Sequence, residues 1–150
     1  MILLVHLIFG ALIGQLISNP LLAITLAFLG HYFLDFLPHI EYNINRIKGE
    51  QWKKAVPEMT KIFIDFSLGI LLIFLFSQNS LIIYVCAFFA ILPDGLSVLN
   101  NHFPGKVLNL HRKFHLEKIH FLKDKKISVF WRIFTQLFVV ATSIILLKVT

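Results

Sequence analysis

Five ionisable side chains lie inside long apolar stretches of this sequence, namely His6, His31, Asp35, Asp65 and Asp94. A charged group at the centre of a membrane helix costs about 2.5–3.5 kcal/mol on insertion scales, so residues of this kind are informative. Imidazole and carboxylate groups are ligands that zinc and neighbouring divalent transition metals take. The set therefore indicates a metal site, and the alternative for each member taken alone is an interhelical hydrogen bond.

The spacing of the histidines strengthens this prediction. His31 and Asp35 stand at i and i+4, about 40° apart on one helix face, where both can reach the same ion. His39 comes one turn later, and His111 and His115 repeat the i, i+4 spacing with two imidazoles. The predicted metal ligands are His31, Asp35, His39, Asp94, His111 and His115.

The apolar segments predict the elements that position these residues. The sequence is 57% hydrophobic and 15% charged, with a mean hydropathy of +0.80, which leaves too little polar surface to cover a soluble globule. We expect a single all-α domain, residues 1–150, forming a polytopic membrane bundle of about five transmembrane helices. The expected helices are 2–17, 21–37, 62–76, 81–99 and 129–147. Cys86 is the only cysteine, so neither an intrachain disulfide nor a cysteine-based zinc site is available.

The basic residues predict the orientation of this bundle. All of the 14 Lys and Arg residues except Arg132 and Lys148 lie in two connecting segments, 39–61 and 100–128. Because Lys and Arg are retained on the cytoplasmic side, we expect both segments there, with the N-terminus inside and the C-terminus outside. The protein is then expected in the cytoplasmic (inner) membrane. The net charge of +6 is loop charge that faces lipid headgroups, and we expect no nucleic-acid partner.

The second basic segment contains a predicted amphipathic helix, residues 106–122. At 100° per residue, one face carries two histidines and three apolar residues, and the opposite face is polar. We expect this helix on the cytoplasmic face of the membrane, with its histidines turned toward the bundle. The inward face is Leu108, His111, His115, Ile119 and Leu122, and the outward face includes Lys113, Glu117 and His120. With this topology the candidate ligands all lie at one membrane level.

Several short motifs resemble those of a known family. They are Gly30-His31-Tyr32-Phe33-Leu34-Asp35, Leu92-Pro93-Asp94 and His111-Arg112-Lys113-Phe114-His115, together with an early His6. In this combination the chain resembles the membrane-bound metal-dependent hydrolases of the YdjM-like kind. The resemblance implies a metal site at the cytoplasmic face, and the candidates that it carries over are His6, His31, Asp35, Asp94, His111 and His115.

The first functional hypothesis is a metal-dependent hydrolase that acts on a phosphoester or lipid-linked substrate with a divalent ion, expected to be zinc. His6 or Asp65 would be a further ligand or the general base, and Arg112 would meet a phosphate; these three are the predicted catalytic residues. No nucleophilic serine motif and no phosphate-binding glycine loop occurs in the sequence. The alternatives are a metal or proton transporter that uses the same cluster, and a helical assembly factor without an ion. The sequence leaves substrate and oligomeric state open.

Overall fold

The computed structural model describes residues 1–49, 51–119 and 126–150. In these ranges the regular structure is all helical, and no strand forms among the described residues. The predicted all-α class is therefore confirmed for this part of the chain. The helices are α1 (Leu3–Leu16), α2 (Pro20–Asp35), α3 (Asn45–Lys48), α4 (Trp52–Phe76), α5 (Leu81–His102), α6 (Lys106–Phe114), which continues as a π-helical turn (His115–Ile119), and α7 (Val129–Val149).

Three of these helices are long and apolar enough to cross a membrane. They are α4, α5 and α7, with 25, 22 and 21 residues. The apolar helices α1 and α2 are shorter, at 14 and 16 residues, whereas a span takes about 20 residues with a lower limit near 17. Length and composition therefore indicate a membrane protein.

The bounds of α2 follow from its capping residue and two prolines. The Asn19 side chain accepts a hydrogen bond from the Leu22 amide at 3.1 Å, and Pro20 occupies the first turn. At the other end Pro38 disfavours helical conformation in the residue before it, and α2 ends at Asp35. The helix therefore ends at one of the predicted metal ligands.

The central helix of the bundle is α1, which packs against α2, α4, α5 and α7. Its approach to α5 is close because glycines face that helix. A Cβ atom on Gly10 would lie 2.6 Å from the Cβ of Ala90, and one on Gly14 would lie 2.9 Å from the Cα of Ile83. This is the small-residue packing that brings membrane helices together. It sets α1 and α5 near enough for their side chains to share one site.

One end of the bundle is closed by polar side chains near the C-terminus. The Gln15 amide group donates to the Leu147 carbonyl at 2.8 Å and to the Thr150 hydroxyl at 2.9 Å. The backbone amide of Gln78 donates to the Gln15 side chain at 3.0 Å. The Gln78 side chain donates to the Thr150 carbonyl at 2.8 Å. The turn before α5 and the chain terminus after α7 therefore lie at the same end as the end of α1.

The described part of the predicted surface helix is α6 with its π-helical turn. His111 is half-buried and His115 is buried, whereas Lys113 and Glu117 are exposed. The histidines thus face the bundle, as their spacing predicts. His120 and the rest of the predicted helix lie outside the described residues.

Candidate metal centre

Side chains from α1, α2 and α5 meet at one buried point. One possible ligand atom from each of His6, His31, Asp35 and Asp94 lies within 4.8 Å of the others. The π-helical turn adds His115, whose Nε2 lies 3.1 Å from Nε2 of His31. This group of residues can hold a metal ion, and its members come from both halves of the chain.

The centre of the group is a triangle of three atoms. His31 Nε2, His115 Nε2 and Asp35 Oδ2 are separated by 3.1 Å along every edge. Oδ1 of Asp94 lies 3.8 Å from the His31 nitrogen and 4.0 Å from the His115 nitrogen. A tetrahedral ion with bonds of about 2.0–2.1 Å separates its ligands by about 3.3 Å. The three atoms of the triangle have nearly this spacing, and Oδ1 of Asp94 lies farther from the two nitrogens.

The hydrogen bond on the far side of the His31 ring fixes its tautomer. Nδ1 lies 2.7 Å from the backbone carbonyl oxygen of Ala90, and a carbonyl can only accept. Nδ1 therefore carries the proton, and Nε2 of the neutral ring presents its lone pair to the triangle. Metal-binding histidines commonly donate their second ring nitrogen to a carbonyl or carboxylate in this way.

Ser97 contacts Nδ1 of His115, just as the Ala90 carbonyl contacts Nδ1 of His31. Its hydroxyl oxygen lies 3.0 Å from Nδ1 of His115. If Nδ1–H donates to this oxygen, Nε2 of His115 is a second lone pair aimed at the triangle. Sequence analysis did not select Ser97, although it stands three residues after Asp94 and therefore on the same face of α5.

The second oxygen of Asp35, Oδ1, is held by groups outside the triangle. His6 Nε2 donates to it at 3.1 Å, and the Met1 α-ammonium donates at 2.5 Å. Nδ1 of His6 is buried and has no hydrogen-bond partner among the described residues. As a donor, His6 holds the orientation of Asp35, as supporting residues of metal sites do for their ligands.

His39 lies at the edge of the cluster. Its Nδ1 donates to the Leu37 carbonyl at 2.6 Å. The other ring nitrogen, Nε2, is 3.9 Å from Oδ1 of Asp35 and 3.4 Å from Oε1 of Glu41. The structure thus places this predicted ligand beside the far oxygen of Asp35.

His111 has polar contacts of its own on both ring nitrogens. Nε2 donates to the Pro93 carbonyl at 3.0 Å, and the Tyr32 hydroxyl donates to Nδ1 at 3.3 Å. These bonds connect α6 to α5 and α2 without a lone pair left over for an ion. The role of His111 as a ligand stays a prediction. Its contacts hold α6 against α5 and α2.

Asp65 lies on α4 beside the start of α1. Its Oδ2 accepts a hydrogen bond from the Leu4 amide at 2.9 Å, which satisfies a free amide at the helix N-terminus. Burial and the Asp65 carboxylate raise the pKa of the nearby Tyr42 hydroxyl above its ordinary value. The Asp65 carboxylate thus caps the N-terminus of α1, which explains why this apolar segment contains a carboxylate. Its predicted role as a general base stays a prediction.

A cavity of about 590 Å³ adjoins the cluster. Asp94 and His115 form part of its wall, and so does Arg112. The side chain of Asp94 is 30% exposed, whereas those of His31 and Asp35 are completely buried. The cluster is therefore approached from the cavity, past Asp94. Most of the remaining wall is apolar and includes Leu3, Ile44, Ile62, Ile91, Val98 and Leu99.

The fold and the cluster together define a class. The described residues form an all-helical fold with three helices long and apolar enough to span a membrane, and a buried His/Asp group in it can hold a metal ion. Comparison with protein-family models, with curated proteins and with solved structures gives no match. The resemblance to the YdjM-like hydrolases therefore stays a prediction.

Proposed function

We propose that this protein is a membrane-embedded, metal-dependent hydrolase of phosphoesters, with one divalent ion held by His31, Asp35, Asp94 and His115. The observation that carries the proposal is the buried triangle whose edges are all 3.1 Å. When Nδ1 of His115 donates to Ser97, all three atoms of the triangle are acceptors. Acceptors repel one another at this separation unless a proton or a cation lies among them. A cation bound by all three removes this repulsion.

Zinc is the ion that we propose. Two imidazoles and two carboxylates are zinc ligands, and two negative charges balance the charge of a divalent ion. When bound, zinc would bring the pKa of a coordinated water to about 7 and would polarise the bond to be hydrolysed. The protein leaves the ion accessible to a substrate on one side only. Asp94 alone of the four ligand side chains is substantially exposed, at 30%. His6 contributes by holding Asp35 through Oδ1.

We further propose that α1 and α2 lie in the membrane with the three longer helices, which gives five spans. α1 needs little lipid contact because it lies inside the bundle, and α2 exposes a series of large apolar side chains. The centre lies at the bundle end that carries both basic segments, which the positive-inside rule places in the cytoplasm. The exposed large apolar residues of α2 are Leu21, Leu22, Leu26, Leu29 and Phe33.

Transport through the bundle has less support than a site open on one side. Between the metal centre and the polar end near Gln15, the described interior is packed mainly with apolar side chains, and Ser143 of α7 is a buried polar residue. A path for an ion needs polar groups along its length, because every desolvated charge is costly. This packed layer includes Leu7, Ile8, Ala11, Leu12, Ile73 and Ile83.

The test compares two neighbouring histidines of α6 and its π-helical turn. Protein purified in detergent with zinc is analysed for bound metal and for hydrolysis of p-nitrophenyl phosphate, before and after chelation. Wild type and His111→Ala are expected to retain the metal, because the His111 nitrogens are engaged elsewhere. His115→Ala is expected to lose it, because His115 Nε2 is one corner of the triangle.

Activity should disappear on chelation and return with zinc. Absence of metal from wild-type protein, or equal metal content in His115→Ala, would contradict the proposal. Zinc flux into proteoliposomes without phosphoester hydrolysis would favour the transporter instead.

A further inference from the structure

The cavity beside the metal centre has a volume in the range of small-ligand sites, which is about 300–1,000 Å³. At about 590 Å³ it is far larger than a phosphate group or a water cluster needs. One part of its wall is the reactive part, where Asp94 and His115 border it. The rest extends along α5, the segment before α3, and α6, and most of it is apolar.

Arg112 is the second polar feature of this wall. It is half-buried, and its guanidinium makes no hydrogen bond or ion pair with any described residue. An arginine in an apolar pocket is normally paired, because desolvating an unpaired charge is costly. A planar guanidinium is suited to two oxygens of a phosphate or a carboxylate, so a ligand anion would supply the missing partner.

Two carboxylates, Glu41 and Asp94, also lie in the wall. Glu41 lies 3.4 Å from Nε2 of His39. Asp94 is a proposed metal ligand, and an ion bound there would offset its charge. Arg112 is the only lysine or arginine among the described residues of the wall.

We infer that the cavity binds a long-chain phosphate monoester, with the phosphate between Arg112 and the metal centre and the hydrocarbon chain along the apolar wall. This inference rests on the proposed hydrolase function and names its substrate class. Hydrolysis would add water across the phosphorus–oxygen ester bond, which releases the long-chain alcohol and inorganic phosphate. The chain would contribute binding energy by burial at roughly 0.8 kcal/mol per CH₂.

Trp52 can report binding in this cavity. Its ring centroid lies 5.5 Å from that of His102, which lines the cavity. The sequence has two tryptophans, so a Trp131→Phe background leaves Trp52 as the single fluorophore. Zinc-loaded protein in nanodiscs would be titrated with hexadecylphosphonate, which cannot be hydrolysed at its carbon–phosphorus bond. Methylphosphonate, hexadecanol and hexadecanoate are the comparison ligands.

We expect hexadecylphosphonate to bind at least about tenfold more tightly than methylphosphonate, which lacks the chain, and hexadecanol, which lacks the charge. Arg112→Gln should weaken hexadecylphosphonate binding at least about tenfold, with a smaller loss for Arg112→Lys. Lys113→Gln is the matched control, because Lys113 is exposed and is not part of the cavity wall. Val98→Phe should also weaken binding by filling the pocket, whereas Leu110→Phe on the exposed face of α6 should not.

The inference is overturned if methylphosphonate binds as tightly as hexadecylphosphonate, or if Arg112→Gln and Lys113→Gln behave alike. Equal binding of hexadecanoate overturns the phosphate assignment and leaves a carboxylate site.

A separate assay compares hydrolysis of p-nitrophenyl phosphate and hexadecyl phosphate. Zinc-dependent hydrolysis of both at equal kcat/KM contradicts only the pocket inference. Tight hexadecylphosphonate binding without any metal or hydrolysis contradicts only the hydrolase.

Discussion

Asp35 connects the ligand atoms of the centre with the groups that orient them. Its Oδ2 belongs to the triangle with His31 and His115, and its Oδ1 accepts from His6. One carboxylate thus links the ligand atoms to the groups that orient them. Because its side chain is completely buried, a charge there is stable only with these partners or with a cation.

Replacement of Asp35 by Asn should therefore abolish metal binding, with a loss beyond the about 10–100-fold that follows removal of a supporting residue. The measurement is the zinc dissociation constant, obtained by competition with a chelator. Asp65→Asn is the matched control, because Asp65 also lies in an apolar segment but its Oδ2 accepts from the Leu4 amide. It should retain zinc affinity and lose about 0.3–1 kcal/mol of stability from the weaker charge at the start of α1. Comparable zinc affinity in Asp35→Asn and wild type would argue against the site.

Among the helices, α1 and α5 hold the centre together. They approach closely at Gly10. Ala90 and the Cys86 carbonyl lie so near this residue that there is no space for a side chain. The same closeness brings His6 on α1 and Asp94 on α5 into one group with the residues of α2. A loss of packing between these two helices should therefore affect stability and metal binding together.

Gly10→Ala should destabilise the bundle by about 1–3 kcal/mol, because an added Cβ would lie 2.6 Å from Ala90 and 2.7 Å from the Cys86 carbonyl. Thermal unfolding in detergent measures the loss. Gly95→Ala on α5 is the control, since a Cβ there meets nothing within 4 Å. It should leave stability unchanged or raise it by up to about 1 kcal/mol, as alanine favours helix over glycine. Similar melting temperatures for the two variants would exclude tight packing at Gly10.

For the molecule as a whole, the structure separates two chemically different ends. One end holds Asp35, His39 and the turn at His115, next to the basic segments of the sequence. The other holds Gln15, Gln78 and the C-terminal residue Thr150 in one hydrogen-bonded group. The topology with five membrane crossings that we propose requires these two ends to lie on opposite sides of the membrane.

Reporter fusions after Asn79 and after Asn109 should therefore lie on opposite sides of the membrane. Asn79 precedes α5 at the polar end, and Asn109 belongs to α6 at the basic end. Alkaline phosphatase should be active only after Asn79, and a fluorescent protein that requires the cytoplasm should be fluorescent only after Asn109. The same side for both positions would contradict the proposed topology with five spans.

The sequence by itself determined the helices closely where they are apolar. The predicted segment 81–99 corresponds to Leu81–His102, and 129–147 corresponds to Val129–Val149. Apolar runs of this length have to satisfy their backbone groups internally, which only a helix does within one segment. The predicted segment 62–76 was too short, because α4 begins at Trp52. Its first turns are polar, and a search for apolar residues does not detect a helix there.

Tertiary structure alone decided what each polar residue contacts. Spacing placed His111 and His115 on one face equally well, but only His115 Nε2 reaches Asp35, while His111 meets the Pro93 carbonyl. Asp65 is, like Asp35, a carboxylate inside an apolar segment, but it accepts from a helix N-terminus. Periodicity fixes the direction of a side chain from its own helix. The partner that it meets depends on where the neighbouring helices pack, which here follows from the close contact of α1 with α5.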